Sequence, residues 1–357
     1  MLRKFFAAPL SWLYGLAIAI RHKLFDWGIL HVEEFDIPIV CVGNLAVGGP
    51  GKTPHTEYLI DILRKDHKVA VLSRGYKRRT RGFVLADNNT SYLRIGDEPR
   101  QIKMKFPDIP VAVCENRVKG IKQLRKLHPE INLIILDDAF QHRYVDAWVN
   151  VLLMDYSNPP YKDKFLPLGR LRDSAKQMSR AQLIVMTKCP DYIKPIDIRV
   201  AINNLNLYPY QTLYFSKFRQ GDLIPIFPEH ETAIPGKGAN IIAMSGLANN
   251  NNFYDSLKGN YNLLQTLSYP DHHSYKVRDI QKIRRIISNM PEDTAIVVTE
   301  KDAVKLTNRK KIPVELQRKL FFVPIEVMFL DGGKVGFKRQ IEQYAKTNHK
   351  YRILHPE

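Results

Sequence analysis

The sequence predicts an α/β protein in which a mostly parallel sheet carries helices on both faces and a smaller second α/β domain follows. Three observations predict this architecture. Short apolar segments alternate with amphipathic helical segments along the 357 residues, as in strand–helix–strand units. A glycine-rich turn joins one of the first apolar segments to a helix. A second alternating series begins after a stretch rich in glycine and proline, which predicts a domain boundary.

Composition limits the class of protein and its partners. The apolar fraction of 45% in 357 residues is sufficient for a large core divided between two domains. Cys41, Cys114 and Cys189 lie far apart, which argues against a disulfide scaffold or a zinc knuckle and favours a reducing cytoplasm. The formal net charge of +18 predicts an anionic partner: nucleic acid, phospholipid headgroups or a phosphorylated substrate.

Residues 1–28 predict a helix that associates with an anionic membrane surface. Basic residues at 3–4 and at 21–23 flank an uncharged run at 5–20, which is shorter than the roughly twenty residues that cross hydrocarbon. No small-residue cleavage site follows, as a signal peptide would require. We expect the helix to lie in or along the cytoplasmic face of the membrane. The alternative is a core helix packed on the main domain.

The glycine-rich turn has the chemistry of a phosphate-binding loop. Residues 37–42 predict a buried strand, and the apolar positions 58, 59, 62 and 63 predict one face of the following helix. Glycines let backbone N–H groups turn towards an anion, and the helix N-terminus adds a positive dipole. Lys52 is expected to reach the β- and γ-phosphates, and the Thr53 hydroxyl to bind Mg²⁺. The predicted nucleotide-binding residues are Ala46, Val47, Gly48, Gly49, Pro50, Gly51, Lys52 and Thr53.

The remaining strands divide the chain into two domains. A nucleotide-binding domain at 29–212 is expected to contain strands at 68–72, 109–114, 131–136, 149–154 and 181–187. Residues 213–235 are interpreted as an inter-domain connection. A C-terminal α/β domain at 236–357 is expected to contain strands at 240–244, 262–267, 294–298 and 320–323.

Two adjacent carboxylates follow the strand at 131–136. An acidic residue at the end of such a strand holds Mg²⁺ in phosphate-binding-loop proteins, so Asp137 and Asp138 are, together with Thr53, the predicted metal ligands. The alternative is that both residues only cap the next helix. Gln141 and His142 follow closely, which places amide and imidazole groups beside the expected metal position.

Motifs spread over nearly the whole chain carry a resemblance to a known family. They are Gly43-Asn44, Gly48-Gly49-Pro50-Gly51-Lys52-Thr53-Pro54, Ser73-Arg74-Gly75-Tyr76, Gly96-Asp97-Glu98-Pro99, Asp137-Asp138-Ala139-Phe140-Gln141-His142, Leu166-Pro167-Leu168-Gly169-Arg170-Leu171-Arg172, Asp271-His272-His273 and Thr299-Glu300-Lys301-Asp302. In this order, and with the apolar N-terminus, they resemble the lipid A 4′-kinases (tetraacyldisaccharide 4′-kinases). Ala139 and Asp173 differ from the family's usual glycine and glutamate.

The resemblance implies ATP- and Mg²⁺-dependent phosphorylation of the 4′-hydroxyl of a lipid A disaccharide precursor at the bacterial inner membrane. It implies that Asp97 is the catalytic acid or base and that His272, chosen over His273 by the motif, is its partner. Lys52 and Asp138 complete the expected catalytic set. Because Asp97 and His272 belong to different predicted domains, we expect the reaction in a cleft that closes.

Further polar residues in or near the motifs are candidates for contacts with phosphate or substrate. They are Asn44, Arg74, Glu98, Arg117, Gln141, His142, Arg170 and Arg172. Each basic member could instead be a solvated surface charge. No nucleic-acid partner is expected, because no recognised nucleic-acid module is present. No obligate protein partner is inferred.

Two other classes of function fit parts of the sequence. A membrane-associated GTPase-type switch is the main alternative, since Thr187-Lys188-Cys189-Pro190-Asp191 approaches the guanine-specific Asn/Thr-Lys-x-Asp pattern with the aspartate one residue late. A nucleic-acid-dependent ATPase is compatible with the basic charge alone. Nucleotide selectivity would separate the first alternative from a kinase, and stimulation by polynucleotide would separate the second.

Overall fold

The computed structural model describes residues 2–247, 249–307 and 312–354, and side chains between residues 7 and 346 of those ranges. The chain forms two compact units. The first comprises the chain up to Arg219 together with the segment that begins at Val327, and the second is Gln220–Glu326.

The described strands are β1 (Ile39–Gly43), β2 (Val69–Ser73), β3 (Val84–Leu85), β4 (Val111–Val113), β5 (Leu133–Leu136), β6 (Val149–Asp155), β7 (Leu183–Thr187), β8 (Thr212–Gln220), β9 (Ile224–Pro225), β10 (Asn240–Ser245), β11 (Asn262–Ser268), β12 (Ala295–Thr299), β13 (Leu320–Val323) and β14 (Ile325–Phe329). The described α-helices are α1 (Leu2–Asp26), α2 (Lys52–Leu63), α3 (Tyr92–Ile95), α4 (Asp97–Lys105), α5 (Arg117–Leu127), α6 (Pro195–Leu205), α7 (Asn251–Lys258), α8 (Val277–Ile287), α9 (Glu300–Ala303), α10 (Val314–Gln317) and α11 (Gly333–Leu354).

The first unit is built on a nine-stranded sheet with the order β14-β8-β7-β6-β1-β5-β2-β4-β3. Its central strands pair in parallel, and β3 is antiparallel to β4. The chain passes from β5 to β6 across β1, so the strand order reverses beside β1. In open α/β sheets, ligands bind at the carboxyl ends of the strands at such a reversal.

Helices cover both faces of this sheet, which confirms the predicted fold class. Successive residues of β1 alternate between two apolar cores, as the two-residue period of a strand requires. Ile39 and Cys41 belong to the core that also contains Ile121 and Leu124 of α5 and Ala201 and Leu205 of α6. Val40 and Val42 belong to the core that contains Leu59 and Leu63 of α2 and Phe337 and Ile341 of α11.

The second unit contains a five-stranded sheet with the order β11-β10-β12-β13-β9. Strands β10 to β13 pair in parallel, and β9 adds an antiparallel edge. The short strand at Ile224–Pro225 therefore belongs to this sheet rather than to a free connection.

Two predicted boundaries differ from the structure. The expected connection 213–235 begins inside β8, a strand of the large sheet whose Tyr214 and Ser216 are buried. The expected C-terminal domain 236–357 includes a segment that returns to the first unit, because β14 joins the large sheet next to β8 and α11 packs into its core. The second unit instead begins near Gln220 and ends near Glu326.

Helix α1 belongs to the first unit and has two different faces. Ser11 is buried and donates a hydrogen bond to the Phe165 carbonyl at 2.7 Å, and Gly15 packs against the Phe165 ring. Among the side chains of this helix that the structure describes, from residue 7 onwards, the exposed large apolar ones are Leu10, Trp12, Leu13, Leu16 and Ile20. Of the helices that the structure describes, none combines the length and apolar character needed to cross a membrane.

Candidate active site

The glycine-rich loop lies between β1 and α2, as predicted. Helix α2 begins at Lys52, and the preceding Gly51 has a left-handed backbone with φ 89°. The Phe218 ring packs so closely on Gly51 that an added Cβ atom would lie 2.2 Å from it. The loop therefore needs glycine at this position for two reasons: backbone conformation and space.

Lys52 meets two other predicted residues. Its Nζ atom lies 3.3 Å from Asn44 Oδ1 and 3.8 Å from Asp138 Oδ2. Only 12% of the Lys52 side chain is exposed, so its charge is less screened by solvent than a surface charge. The structure thus brings the loop lysine and one of the two predicted acidic residues together at the ends of β1 and β5.

The two adjacent aspartates have different surroundings. Asp137 is buried, and its two carboxylate oxygens accept hydrogen bonds from Thr56 Oγ1 at 3.1 Å and Ser73 Oγ at 3.2 Å. Burial, with the charge of Asp138 as a second cause, raises the pKa of Asp137. Asp137 therefore links α2 to the end of β2.

Asp138 faces cationic groups. Burial alone would raise its pKa, but Lys52 and Arg172 more than offset this, so the pKa of Asp138 is lowered. Arg172 binds both carboxylate oxygens, one of them through Nη1 at 3.2 Å. The residue has a left-handed backbone with φ 48°, a conformation that is uncommon outside glycine and that often marks functional sites. Its side chain is 28% exposed, so it stays accessible to a ligand.

The segment 165–173 forms one wall of the site. Its Arg170 carbonyl accepts a hydrogen bond from the Val47 N–H at 2.7 Å, and the Arg172 N–H donates to the Leu45 carbonyl at 2.9 Å. The Arg170 side chain is held away by an ion pair with Asp163 at 2.7 Å. Of the two predicted arginines in this segment, the structure brings Arg172 to Asp138 and Asn44.

The residues after Asp138 hold the site from the other side. Gln141 Nε2 donates to the Asn44 carbonyl at 2.6 Å. Arg117 is buried and donates to the Asp138 carbonyl at 3.3 Å, and its backbone N–H donates to His142 Nε2 at 3.3 Å. Burial, with the nearby Arg117 charge, lowers the pKa of His142 to about 4. Arg117 and His142 therefore stabilise the loop that follows β5. Arg74, which follows β2, is exposed.

Asp97 and Glu98 begin helix α4. Asp97 is buried and its Oδ1 accepts the Glu98 N–H at 3.2 Å. The preceding Gly96 lies against the Tyr76 carbonyl in the loop that follows β2. Because Ser73 at the end of β2 contacts Asp137, the start of α4 lies beside the same end of the sheet.

His272 belongs to the second unit. It has a left-handed backbone with φ 62°, and its Nε2 lies 3.3 Å from Lys301 Nζ and 3.6 Å from Asp271. The neighbouring His273 instead bonds Asp279 at 3.0 Å and stacks on Tyr269. The two neighbouring histidines thus have different partners, His272 beside Lys301 and Asp271 and His273 beside Asp279 and Tyr269.

Sequence reasoning missed one polar residue of the loop region. His55 is buried one helical turn after Gly51, its Nδ1 donates to the Gly51 carbonyl at 2.8 Å, and its Nε2 meets Ser216 Oγ at 3.1 Å. Burial lowers the pKa of His55 to about 4. The available signal was a histidine four residues after the last loop glycine, where the first helical turn brings residue 55 back to the Gly51 carbonyl.

No group of three or more histidine, cysteine, aspartate or glutamate side chains that could hold a metal occurs among the residues that the structure describes. The predicted metal site is of another kind, since it combines carboxylate oxygens with a threonine hydroxyl. Magnesium is usually bound by one or two carboxylates together with substrate phosphates, and the donor set at Asp138 and Thr53 fits that pattern.

Comparison with known proteins identifies the family. A family model described as tetraacyldisaccharide-1-P 4′-kinase matches residues 3–346. The chain belongs to the tetraacyldisaccharide 4′-kinase family. This membership confirms the resemblance inferred from the motifs, and with it the prediction of an ATP-dependent lipid kinase in lipid A biosynthesis rather than a GTPase-type switch.

Relatives and a solved structure agree with this assignment. A tetraacyldisaccharide 4′-kinase of Bacteroides thetaiotaomicron is 44% identical over 352 residues, which cover 95% of this chain and 93% of the relative. One from Flavobacterium johnsoniae is 39% identical over 343 residues, covering 95% and 96%. The crystal structure of Aquifex aeolicus LpxK in complex with ATP is 28% identical, with a TM-score of 0.74, and covers 96% of this chain and 99% of that one.

Proposed function

We propose that this chain transfers the γ-phosphate of ATP to the 4′-hydroxyl of a tetraacyl-disaccharide 1-phosphate at the cytoplasmic face of the bacterial inner membrane. One observation carries the proposal: Lys52 of the glycine-rich loop converges on Asp138, which Arg172 also holds, in a member of this kinase family. The Aquifex aeolicus relative in complex with ATP supports ATP as the phosphate donor.

The loop supplies the phosphate site. The loop at 46–53 leads into helix α2, so the backbone N–H groups at its end and the positive end of the helix dipole are suited to a triphosphate. Two loop residues do not contribute an N–H group, since that of Val47 donates to the Arg170 carbonyl and Pro50 has none. Lys52 is placed to neutralise phosphate oxygens, and its present partner Asn44 can hold the ammonium group in position. Phosphoryl transfer asks the protein mainly for alignment and charge stabilisation, which these groups provide.

Asp138 and Thr53 would hold Mg²⁺, which when bound neutralises charge on the phosphate oxygens. Asp138 fits because its carboxylate is partly exposed and its pKa is lowered, so it is ionised at neutral pH. Asp137 differs, because Thr56 and Ser73 already donate to both of its oxygens. We therefore assign Asp137 a positioning role between α2 and β2.

The sugar hydroxyl needs a proton acceptor, and we assign this role to Asp97. Its place at the start of α4, beside the loop after β2, brings a carboxylate to the same end of the sheet as Asp137. We assign His272 as its partner from the family motif Asp271-His272-His273 alone. Arg74 and Glu98 stay candidates for contacts with the sugar or its 1-phosphate.

The exposed face of α1 is our candidate for membrane contact. Trp12 and Leu13 are 67% and 54% exposed, and the same face continues through Leu16 and Ile20. Apolar residues of this kind on a helix with basic neighbours favour the interface of an anionic membrane. Such contact would bring the acylated substrate to the site.

Kinetics of three variants test these roles. Asp97→Asn and His272→Ala are expected to lower kcat by roughly 10²–10⁴-fold with little change in ATP affinity, because they affect proton transfer. Lys52→Ala is expected to weaken ATP binding as well. Asp108→Asn, an exposed acid just beyond the other end of α4, is the matched control. Parent-level kcat in Asp97→Asn would exclude that residue as the base.

A further inference from the structure

The inward face of α1 contacts the segment that carries Arg172. Buried or half-buried positions recur at Ser11, Tyr14, His22 and Phe25, with the spacing of one helical face. The Tyr14 hydroxyl donates a hydrogen bond to the Arg172 carbonyl at 2.9 Å. This contact joins residues 158 positions apart in the sequence, so it is a tertiary anchor.

A buried histidine–carboxylate pair forms the second anchor. His22 Nε2 lies 2.6 Å from Asp173 Oδ1, and both side chains are almost fully buried. Arg143 Nη1 lies 3.0 Å from His22 Nδ1. Because a guanidinium can only donate, His22 Nδ1 must accept, and the proton on Nε2 is donated to Asp173. The hydrogen bond therefore runs from His22 Nε2–H to Asp173 Oδ1.

Two groups of hydrogen bonds hold residues 172–173. The N–H groups of Arg172 and Asp173 both donate to the Leu45 carbonyl, at 2.9 and 3.2 Å. From α1, Tyr14 donates to the Arg172 backbone carbonyl, and His22 donates to the Asp173 side chain. The Arg172 side chain leaves this clamped backbone to bind both oxygens of Asp138.

We propose that Tyr14 and His22 are positioning residues for phosphoryl transfer, which act through the backbone at 172–173 to place Arg172 on Asp138. Helix α1 then has two functions on its two faces: the inward face completes the active site, and the outward face carries the apolar surface. The inference rests on the proposed function, since turnover is one of its readouts. Hydrogen exchange is a second readout that needs no activity.

The test uses the full chain in detergent micelles with ATP, Mg²⁺ and the tetraacyl-disaccharide 1-phosphate. His22→Ala is expected to lower kcat by roughly 10–100-fold, as is typical when a partner behind a metal-site residue is lost, with KM for ATP little changed. His22→Gln keeps an N–H group for Asp173 and should recover part of the loss. His128→Ala, which breaks an exposed histidine–glutamate pair of 3.0 Å, is the control with parent kcat.

A double-variant comparison separates positioning from general destabilisation. Because His22 acts through Arg172, adding His22→Ala to Arg172→Ala should cause no further loss of kcat. Losses that multiply would overturn the inference. If the parent itself transfers no phosphate, the proposed function fails, and hydrogen exchange alone then decides the inference.

Tyr14→Phe removes one hydroxyl and keeps the ring, so it decides the question if His22→Ala does not fold. The amides of Arg172 and Asp173 are expected to exchange faster in Tyr14→Phe, while amides of β5 and β6 keep the parent rates. Unchanged exchange at both amides, with kcat within about twofold of the parent, would refute a positioning role for Tyr14.

Discussion

Three glycines of the phosphate-binding loop differ in what an added methyl group would meet. At Gly49 the backbone φ is not positive and no atom lies within 4 Å of the added Cβ. At Gly48 the space is also open, but φ is 126°. At Gly51 φ is 89° and the Cβ would lie 2.2 Å from the Phe218 ring. Alanine at these positions therefore tests space and backbone conformation separately.

The expected loss in the free energy of unfolding increases from Gly49→Ala to Gly48→Ala to Gly51→Ala. Gly49→Ala should change the free energy of unfolding by less than about 0.5 kcal/mol. Gly48→Ala should cost roughly 1–3 kcal/mol, because φ alone is strained. Gly51→Ala combines a left-handed backbone, about 1–2 kcal/mol, with overpacking, about 1–3 kcal/mol, so we expect a loss of about 2–5 kcal/mol.

Urea unfolding followed by tryptophan fluorescence measures these values. The three tryptophans, at positions 12, 27 and 148, all lie in the first compact unit, so the signal reports on the unit that contains the loop. Adding Phe218→Ala to Gly51→Ala should remove the overpacking part of the loss, and the two changes should be non-additive. Gly51→Ala with the parent's unfolding midpoint, or Gly49→Ala with an equal loss, would show that neither φ nor the Phe218 contact restricts residue 51.

Burial lowers the pKa of His55 to about 4, so on acidification the unfolded state binds a proton before the folded state does. The stability that depends on the neutral imidazole, roughly 3 kcal/mol, is present above about pH 6.5 and is lost towards pH 4. In urea unfolding, His55→Gln should reduce the change in the free energy of unfolding over this pH range, and an unchanged pH dependence would contradict this prediction. Trp12→Ser should weaken sedimentation with anionic vesicles roughly tenfold or more, since burying a large apolar side chain contributes about 1.5–3 kcal/mol, and unchanged binding would exclude this contact. Asp138→Asn should mainly lower kcat. Asp137→Asn should mainly lower the free energy of unfolding, by about 1–3 kcal/mol, because the Asp137 carboxylate accepts two buried hydrogen bonds. The reverse pattern would disprove these roles.

Most of the large sheet could be predicted from sequence because its strands are buried on both faces. Such strands appear as continuous apolar runs, and the prediction at 131–136 contains the observed Leu133–Leu136. Strand β8 was missed for the opposite reason: it is only partly buried, and Lys217 and Arg219 alternate with its inward residues. The glycine and prolines that follow it then favoured a connection.

The chemistry of the site was easier to predict than the direction of its side chains. Adjacent aspartates after a strand indicate a metal position, but the sequence does not say that Asp137 faces Ser73 while Asp138 faces Lys52. Nor does it show that Asp138 has a left-handed backbone. Likewise, His22 belongs to a basic flank in the sequence, and its partner Asp173 lies 151 residues away.

Incubation of the purified chain with γ-labelled ATP, Mg²⁺ and tetraacyl-disaccharide 1-phosphate, followed by location of the label in the lipid, measures the proposed phosphate transfer itself. We expect the label on the 4′-oxygen with the parent and its loss with Lys52→Ala, because the ammonium group that lies between Asn44 and Asp138 is removed. Absence of label from the lipid with the parent would exclude the proposed kinase activity, and equal labelling with Lys52→Ala would exclude Lys52 from it.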